Sequence, residues 1–345
     1  MEPLAAVSRQ QGRLIGYLEA LGFQLRQEAV LRTLTADVIK TSEIEGEKLD
    51  AGQVRSSIAR RLGIKIAGMQ AADRNVEGVV EMMLDATGHF TQPLTEARLF
   101  AWHASLFPTG RSGMARIIVG AWRDDRSGPM QVVSGPLGKE KVHYEAPAAT
   151  RLNGEMSAFL AFFNGNESGD PLLKAALAHL WFVTIHPFED GNGRIARAIA
   201  DMQLARSEGS SQRFYSMSAQ IREERNSYYE NLERAQQGGL DITPWMEWFI
   251  ACLGRAIVRS QEMLAGILAK AKFWEAMRNV ALNERQRSML NRLLDGFEGH
   301  LTTAKWAKIG NCSHDTALRD IQDLIGKGIL VQNPGGSRST SYSLV

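Results

Sequence analysis

Within twelve residues, His186-Pro187-Phe188-Glu189-Asp190-Gly191-Asn192-Gly193-Arg194-Ile195-Ala196-Arg197, the chain gathers an imidazole, a hard carboxylate, two glycines and two guanidinium groups. The imidazole of His186 is the one group here suited to taking a proton near neutral pH. Asp190 offers hard oxygen to Mg²⁺, which prefers one or two carboxylates together with phosphate oxygens. Gly191 and Gly193 let the backbone approach a ligand without Cβ interference. Residues Ile195 to Arg206 read as a helix, so free N–H groups at its start, with its dipole, predict an anion site. Arg194 and Arg197 lie three residues apart and reach that site from neighbouring positions on one face. Base, cation ligand, anion cradle and two arginines together describe chemistry on nucleotide phosphates.

Two helices must hold this loop. Asp170-Pro171 opens the apolar run Leu172 to Thr184 with a capping residue and a proline at the first helical position. The run ends two residues before His186, which makes the stretch between the helices a tight turn. Upstream, residues 11–36 show helical apolar spacing through Leu14, Ile15, Leu25, Val30, Leu31 and Leu34. Thr41-Ser42-Glu43-Ile44-Glu45-Gly46 follows: Thr41 and Glu45 share a helical face, and Gly46 is a natural stop. Asp50 to Ile58, Asp73 to Leu84 and Thr95 to Leu106 read as further helices. From Gly113 the period changes. Arg116 to Val119 is β-prone, and Met130 to Ser134 with Lys141 to Tyr144 brackets Gly135-Pro136-Leu137-Gly138 as a hairpin. Thr243-Pro244 opens a long helix to about Val280.

The 345 residues are long enough for two or three domains. A hydrophobic share of 44% and a charged share of 23% are ordinary for a globular protein, and a net charge of +2 makes no case for a generic nucleic-acid or membrane surface. Cys252 and Cys312 suggest neither a disulfide framework nor a zinc site. No signal-like segment opens the chain and no run spans a bilayer, so a cytoplasmic location is expected.

The twelve-residue string matches His-Pro-Phe-x-Asp-Gly-Asn-Gly-Arg-x-x-Arg at every fixed position and resembles the signature of Fic-domain proteins, most of which transfer AMP from ATP to a protein hydroxyl. The resemblance covers residues 12–260. It implies a protein adenylyltransferase in which His186 is the base, Asp190 holds Mg²⁺, and Gly191, Asn192, Gly193, Arg194 and Arg197 bind nucleotide phosphate. Thr41-x-x-x-Glu45-Gly46 resembles the family's inhibitory motif, whose glutamate pairs with the second arginine, here Arg197. The hairpin is similar to the flap that docks a target segment as an added strand, through Val132, Val133 and Ser134. Tyr144-Glu145-Ala146-Pro147 resembles the flap end Tyr-x-Pro-Pro, with Ala for the first proline. Tyr229 matches a tyrosine near the nucleoside, while Gln236 stands where the family has asparagine; a longer amide still hydrogen-bonds.

The tail reads as a separate module. Asn283 and Gln286 have capping-box spacing and open a helix to Leu294; Thr302–Ile309 and Ser313–Ile325 are two more; strands at 329–331 and 342–344 surround Pro334-Gly335-Gly336-Ser337. The order resembles a winged helix-turn-helix. Residues 283–345 hold eight Lys/Arg and six Asp/Glu, and the third helix carries Asp315, Asp320 and Asp323, which would face phosphate badly, so the charge argues as much for a protein contact as for DNA. The expected architecture is mainly α: residues 1–92 a regulatory helical region, 93–282 a Fic-type core with a β-hairpin flap, and 283–345 the winged-helix module. ATP, Mg²⁺ and a protein target, itself included, are the expected partners, with DNA and a homo-oligomer as alternatives. Rival functions are removal of AMP by the same site, use of another nucleotide donor, and a DNA-binding regulator with a vestigial site.

Overall fold

A computed structural model describes residues 2–19, 22–126, 128–135, 139, 141–165, 169–297, 299–334 and 340–345. The chain divides into two compact units, residues 1–261 and 262–345. In the first, helices α1 (Glu2–Glu19) and α2 (Phe23–Ile44) are followed by α3 (Ala51–Arg61), α4 (Arg74–Gly88) and α5 (Glu96–Leu106). The side chains of Asp50, Asp73 and Thr95 accept from the backbone N–H of Gln53, Val76 and Arg98, which fixes where α3, α4 and α5 begin. Two small antiparallel pairs come next: β1 (Arg111–Ser112) with β2 (Ala115–Arg116), and β3 (Gln131–Ser134) with β4 (Lys141–Glu145). Then α6 (Leu152–Asn164), α7 (Pro171–Ile185), α8 (Asn192–Glu208), α9 (Met217–Glu223), α10 (Arg225–Gln237) and the part of α11 (Thr243–Ala276) up to Gln261 complete the unit.

The centre is α7, apolar on nearly all sides, packed on α8. Phe159, Phe188, Trp245 and Phe249 close around it. Against α8 lies α4, and α2 packs on α9. Buried polar groups tie α2 down: Asp37 accepts from the Ser216 hydroxyl and from the Ser218 N–H at 3.2 Å. The β-prone run 116–119 does not extend as a strand. Of this run only Arg116 pairs; the Ile117 N–H goes to the Gly110 carbonyl, and the Ile118 N–H goes to Glu189 Oε2 at 2.6 Å, so the loop between α7 and α8 takes the donor that a strand partner would need. The β3–β4 pair is the expected hairpin, with a register shift between Val132 and Val133; its tip, Pro136 to Gly138, lies outside the described residues. The long helix ends at Ala276, four residues short of Val280.

In the second unit, α12 (Glu284–Leu294) opens with the Asn283/Gln286 capping box, followed by β5 (Leu301–Thr302), α13 (Thr303–Ile309), α14 (His314–Gly326), β6 (Leu330–Gln332) and β7 (Ser341–Leu344). The three strands order β5-β7-β6 over a core of Met289, Leu290, Trp306, Ile321 and Leu324. Gly335 to Ser337, expected at the turn between the last strands, lie outside the described residues. Asp320 is buried against Arg285 at 2.9 Å, and Asp323 accepts from Gln286 at 2.7 Å. Two of the three α14 acids therefore serve the seam with α12, and the acid count of the helix overstates how far it repels phosphate. Among the described residues no helix is long and apolar enough to cross a membrane.

At Gly78, where α4 meets α5, a Cβ would overlap the carbonyl oxygen of Ser105. Gly78→Ala should cost about 1–3 kcal/mol, as overpacking does. The check is thermal unfolding: a melting temperature several degrees lower is expected, and an unchanged one would contradict this close approach.

Candidate active site

His186 ends α7 in the left-handed region, at φ 52 and ψ 57. A non-glycine residue there is strained by about 1–3 kcal/mol and persists only where its surroundings fix it. Here the His186 N–H donates to the Phe182 carbonyl at 3.0 Å, and its own carbonyl accepts from Arg123 Nε at 2.8 Å. The ring Nδ1 lies 3.2 Å from the Val183 carbonyl oxygen. A carbonyl can only accept, so Nδ1 carries the proton and Nε2 of the neutral ring keeps its lone pair. Burial, with the Arg123 charge, holds His186 below the ordinary imidazole range. Its ring is neutral at neutral pH.

The rest of the loop is clipped from several sides. The Asn192 side chain both donates to the Phe188 carbonyl (2.8 Å) and accepts from its N–H (3.0 Å). That amide is spent on the loop, leaving Asn192 its backbone N–H for a ligand. Arg123, buried, also donates its backbone N–H to Pro187 (2.9 Å) and Nη2 to the Pro147 carbonyl (2.5 Å) beyond the hairpin. His103 stacks on Phe188 with ring centroids 4.1 Å apart. Its Nε2–H donates to the Asp190 carbonyl and its Nδ1 accepts from the Gly120 N–H, both at 3.2 Å, an arrangement only the neutral ring satisfies. Burial lowers its pKa to about 4. Gly191 has φ 81, and a Cβ there would sit 2.9 Å from the Phe107 ring.

Helix α8 starts at this loop, with Gly191 as its cap, so the N–H groups of Asn192, Gly193 and Arg194 form its unpaired first turn. Above it stands an anion supplied by α2. A Cβ on Gly193 would overlap Glu45 Oε1. The same oxygen accepts from Arg197 Nη2 at 2.7 Å, while Thr41 accepts from Arg197 through both its hydroxyl (2.7 Å) and its carbonyl (2.9 Å). Burial works against the Arg197 charge, and the Glu45 carboxylate more than restores it. Gly46, at φ 86, turns the chain out of α2. Glu47 then reaches Arg194 Nη1 at 2.7 Å, and the Arg194 guanidinium lies 5.0 Å from the Phe107 ring centre. Both arginines are about 2% exposed, and Arg197 Nη1 and Arg194 Nε have no hydrogen-bond partner among the described residues.

Asp190 accepts from the Gly191 N–H at 2.6 Å with one oxygen and from the Ser112 hydroxyl with the other. Each oxygen keeps a lone pair, and a single carboxylate suits Mg²⁺, which takes most of its shell from phosphate and water. No group of three or more ligating side chains is assembled among the described residues. Tyr229, 39% exposed, points its hydroxyl at the Ile44 carbonyl (3.4 Å), and Gln236 donates to the Val183 carbonyl (3.4 Å), which places both beside the α2 and α7 ends. Val132, Val133 and Ser134 lie on β3. Their hairpin is moored by the Tyr144 hydroxyl to the Thr184 carbonyl (2.9 Å), and Ser134 meets His143, which meets Glu233 of α10. The sequence reading missed Glu47, His103, Phe107, Ser112 and Arg123. Glu47 alone had a nearby signal, as a second acid directly after the Glu45-Gly46 stop.

The histidines set a pH dependence. His103, and His179 at about 3, are held below the unfolded value by burial, so the unfolded chain binds more protons as pH falls. Their stabilisation is complete above about pH 6.5 and is lost toward pH 4. Urea midpoints measured between pH 7 and 4 should fall, and His103→Gln should flatten that slope; an unchanged slope would contradict the neutral assignment.

Comparison with known proteins agrees with this loop. Residues 93–204 match the model of the Fic/DOC family, and residues 1–64 match a domain of unknown function, DUF4172. A protein adenylyltransferase Fic of Culex quinquefasciatus is 34% identical over 104 residues, 30% of this chain and 19% of that protein. Protein adenylyltransferase fic-1 of Caenorhabditis briggsae is 27% identical over 253 residues, 71% of this chain and 46% of that protein. The matched regions thus span a fifth to under a half of these relatives. A Fic family protein from Desulfovibrio desulfuricans has a similar fold, with TM-score 0.54 at 20% identity, over 100% of this chain and 96% of that one. A Fic domain containing signaling protein from Bacteroides thetaiotaomicron gives 0.56 at 19% identity, over 76% of this chain and 98% of that one. Residues 93–204, with the His186–Arg197 loop intact, are a Fic domain.

Proposed function

We propose that this chain transfers AMP from ATP to a Ser, Thr or Tyr hydroxyl of a protein, itself included, and that Glu45 restrains the reaction. The observation that carries the reading is the loop itself: a neutral base at its start and, six to eleven residues on, an anion-binding helix start flanked by two buried arginines. The relatives named protein adenylyltransferase support the same chemistry.

In this mechanism the backbone N–H groups of residues 192–194 and Arg194 draw charge from the nucleotide phosphates. Arg197 joins them once Glu45 has left. Asp190 would hold Mg²⁺, which when bound neutralises phosphate charge. Tyr229 and Gln236 flank the nucleoside. The outer edge of β3, unpaired in a two-stranded sheet, supports docking of a target segment along Val132 to Ser134 by backbone pairing, which asks little of the target sequence. The target hydroxyl gives its proton to Nε2 of His186 and its oxygen attacks the α-phosphorus; the bond to the bridging oxygen breaks, and pyrophosphate leaves. Thr41 and Glu45 hold Arg197 until nucleotide displaces the carboxylate, and Gly46 ends the helix that presents them.

A second reading has one observation in its favour. The Glu45 carboxylate stands over Gly193 at the start of α8, in the loop that His186 begins, which supports Glu45 orienting a water that removes AMP from a modified protein. For the tail, the order helix, strand, helix, helix, strand, strand supports a winged helix-turn-helix. Its module, 283–345, follows a regulatory region, 1–92, and a catalytic core, 93–282.

His186→Ala should lower AMP transfer by about 10²–10⁴-fold and leave ATP affinity nearly unchanged, because the base acts on the hydroxyl. Transfer at the wild-type rate would remove the base assignment. Asp190→Ala should weaken Mg²⁺-dependent ATP binding instead; wild-type Mg²⁺ dependence would rule out its ligand role.

A further inference from the structure

We propose that Glu47 is a second internal anion, one that occupies Arg194 as Glu45 occupies Arg197, so that Glu45-Gly46-Glu47 stands in for the phosphates of a nucleotide. The proposal rests on the nucleotide reading above and names how that same site is regulated.

Three observations lead to it. Glu47 is delivered by the geometry that ends α2: Gly46 takes φ 86, and the Glu47 N–H closes back on the Ser42 carbonyl at 3.0 Å, a Schellman-type closure that sets the direction of the next residue. Two carboxylates two residues apart are thereby aimed at two arginines three residues apart on α8. Next, Arg194 is buried over Phe107, and Glu47 at 2.7 Å is its ion-pair partner among the described residues. A guanidinium in that position requires an anion, because leaving a buried charge uncompensated is strongly unfavourable. Lastly, the pair is asymmetric. The Glu47 side chain is 46% exposed against 2% for Arg194, so Glu47 can swing into water at little cost while Arg194 stays where it is.

The two locks therefore differ in strength. Arg197 is gripped by Glu45 and by two oxygens of Thr41, whereas Arg194 has one partly solvated carboxylate. Incoming phosphate displaces Glu47 first and gains a foothold on Arg194 before it contests Arg197. Removing Glu45 alone leaves the first lock in place, so such a variant still spends part of its affinity for ATP on displacing Glu47.

The test compares full-length Glu45→Gly with Glu45→Gly/Glu47→Gln by calorimetric titration of ATP in Mg²⁺, with adenosine as the phosphate-free probe. The double variant should bind ATP about three- to tenfold tighter, the range for losing a half-exposed competing charge pair, and adenosine affinity should not change. Adding Arg194→Ala to both proteins should erase the difference. Equal ATP affinities, a gain for adenosine as large as for ATP, or a gain that survives Arg194→Ala would each overturn the proposal. Labelling with α-labelled ATP separates the two claims. A Glu47→Gln gain in ATP affinity without any protein labelling would uphold the Glu47 role and reject AMP transfer, and labelling by Glu45→Gly without that gain would do the reverse.

Discussion

Two guanidinium groups buried at the start of one helix have to be opposed by anions. Arg194 and Arg197 are each about 2% exposed, and a buried charge without a partner costs several kcal/mol. The chain meets that requirement with its own carboxylates, delivered from a helix some 150 residues earlier by the pairings Glu45–Arg197 and Glu47–Arg194, 152 and 147 residues apart in sequence. A nucleotide polyphosphate would meet it equally well. Under the proposed function, the same electrostatic demand stabilises a self-occupied site and creates the affinity for the ligand that must open it. Arg197 Nη1 and Arg194 Nε, donors without partners among the described residues, show that the internal anions satisfy the charge more completely than the hydrogen bonds.

Everything else around the loop serves its rigidity. Arg123 joins the His186 carbonyl, the Pro187 carbonyl and the hairpin base; Asn192 closes the loop on Phe188; His103 bridges Asp190 and Gly120. These contacts hold His186 in a left-handed conformation that it would not adopt alone and fix its proton on Nδ1. A base held in one tautomer and one orientation needs little reorganisation when the hydroxyl arrives, which is where positioning contributes to rate.

Much of this was readable in the sequence because its signals are local. Asp170-Pro171, Asp50, Asp73, Thr95 and the Asn283/Gln286 box announce helix starts through contacts two or three residues away. Gly46 announces a stop for the same reason. The loop residues could be gathered into one candidate site because imidazole, carboxylate, glycines and arginines adjoin in sequence. Arg123 and His103 could not, since their contacts reach 63 and 87 residues along the chain and an arginine beside Trp122 has no local mark of burial. The run 116–119 misled because strand propensity describes side chains, whereas its fate was decided by a backbone donor bonded to Glu189. The acids of α14 misled in the same way: composition counts charges, but only the fold says that Asp320 faces Arg285.

The central claim is that the Glu45 carboxylate, by holding Arg197, keeps ATP from a productive pose. The most direct measurement is incorporation of label from α-labelled ATP by wild type and Glu45→Gly, alone and with a mixture of cell proteins, with Glu45→Gly/His186→Ala as the control for the base. The account predicts strong labelling by Glu45→Gly, little by wild type and loss of label in the control. Equal labelling by wild type and Glu45→Gly would contradict it.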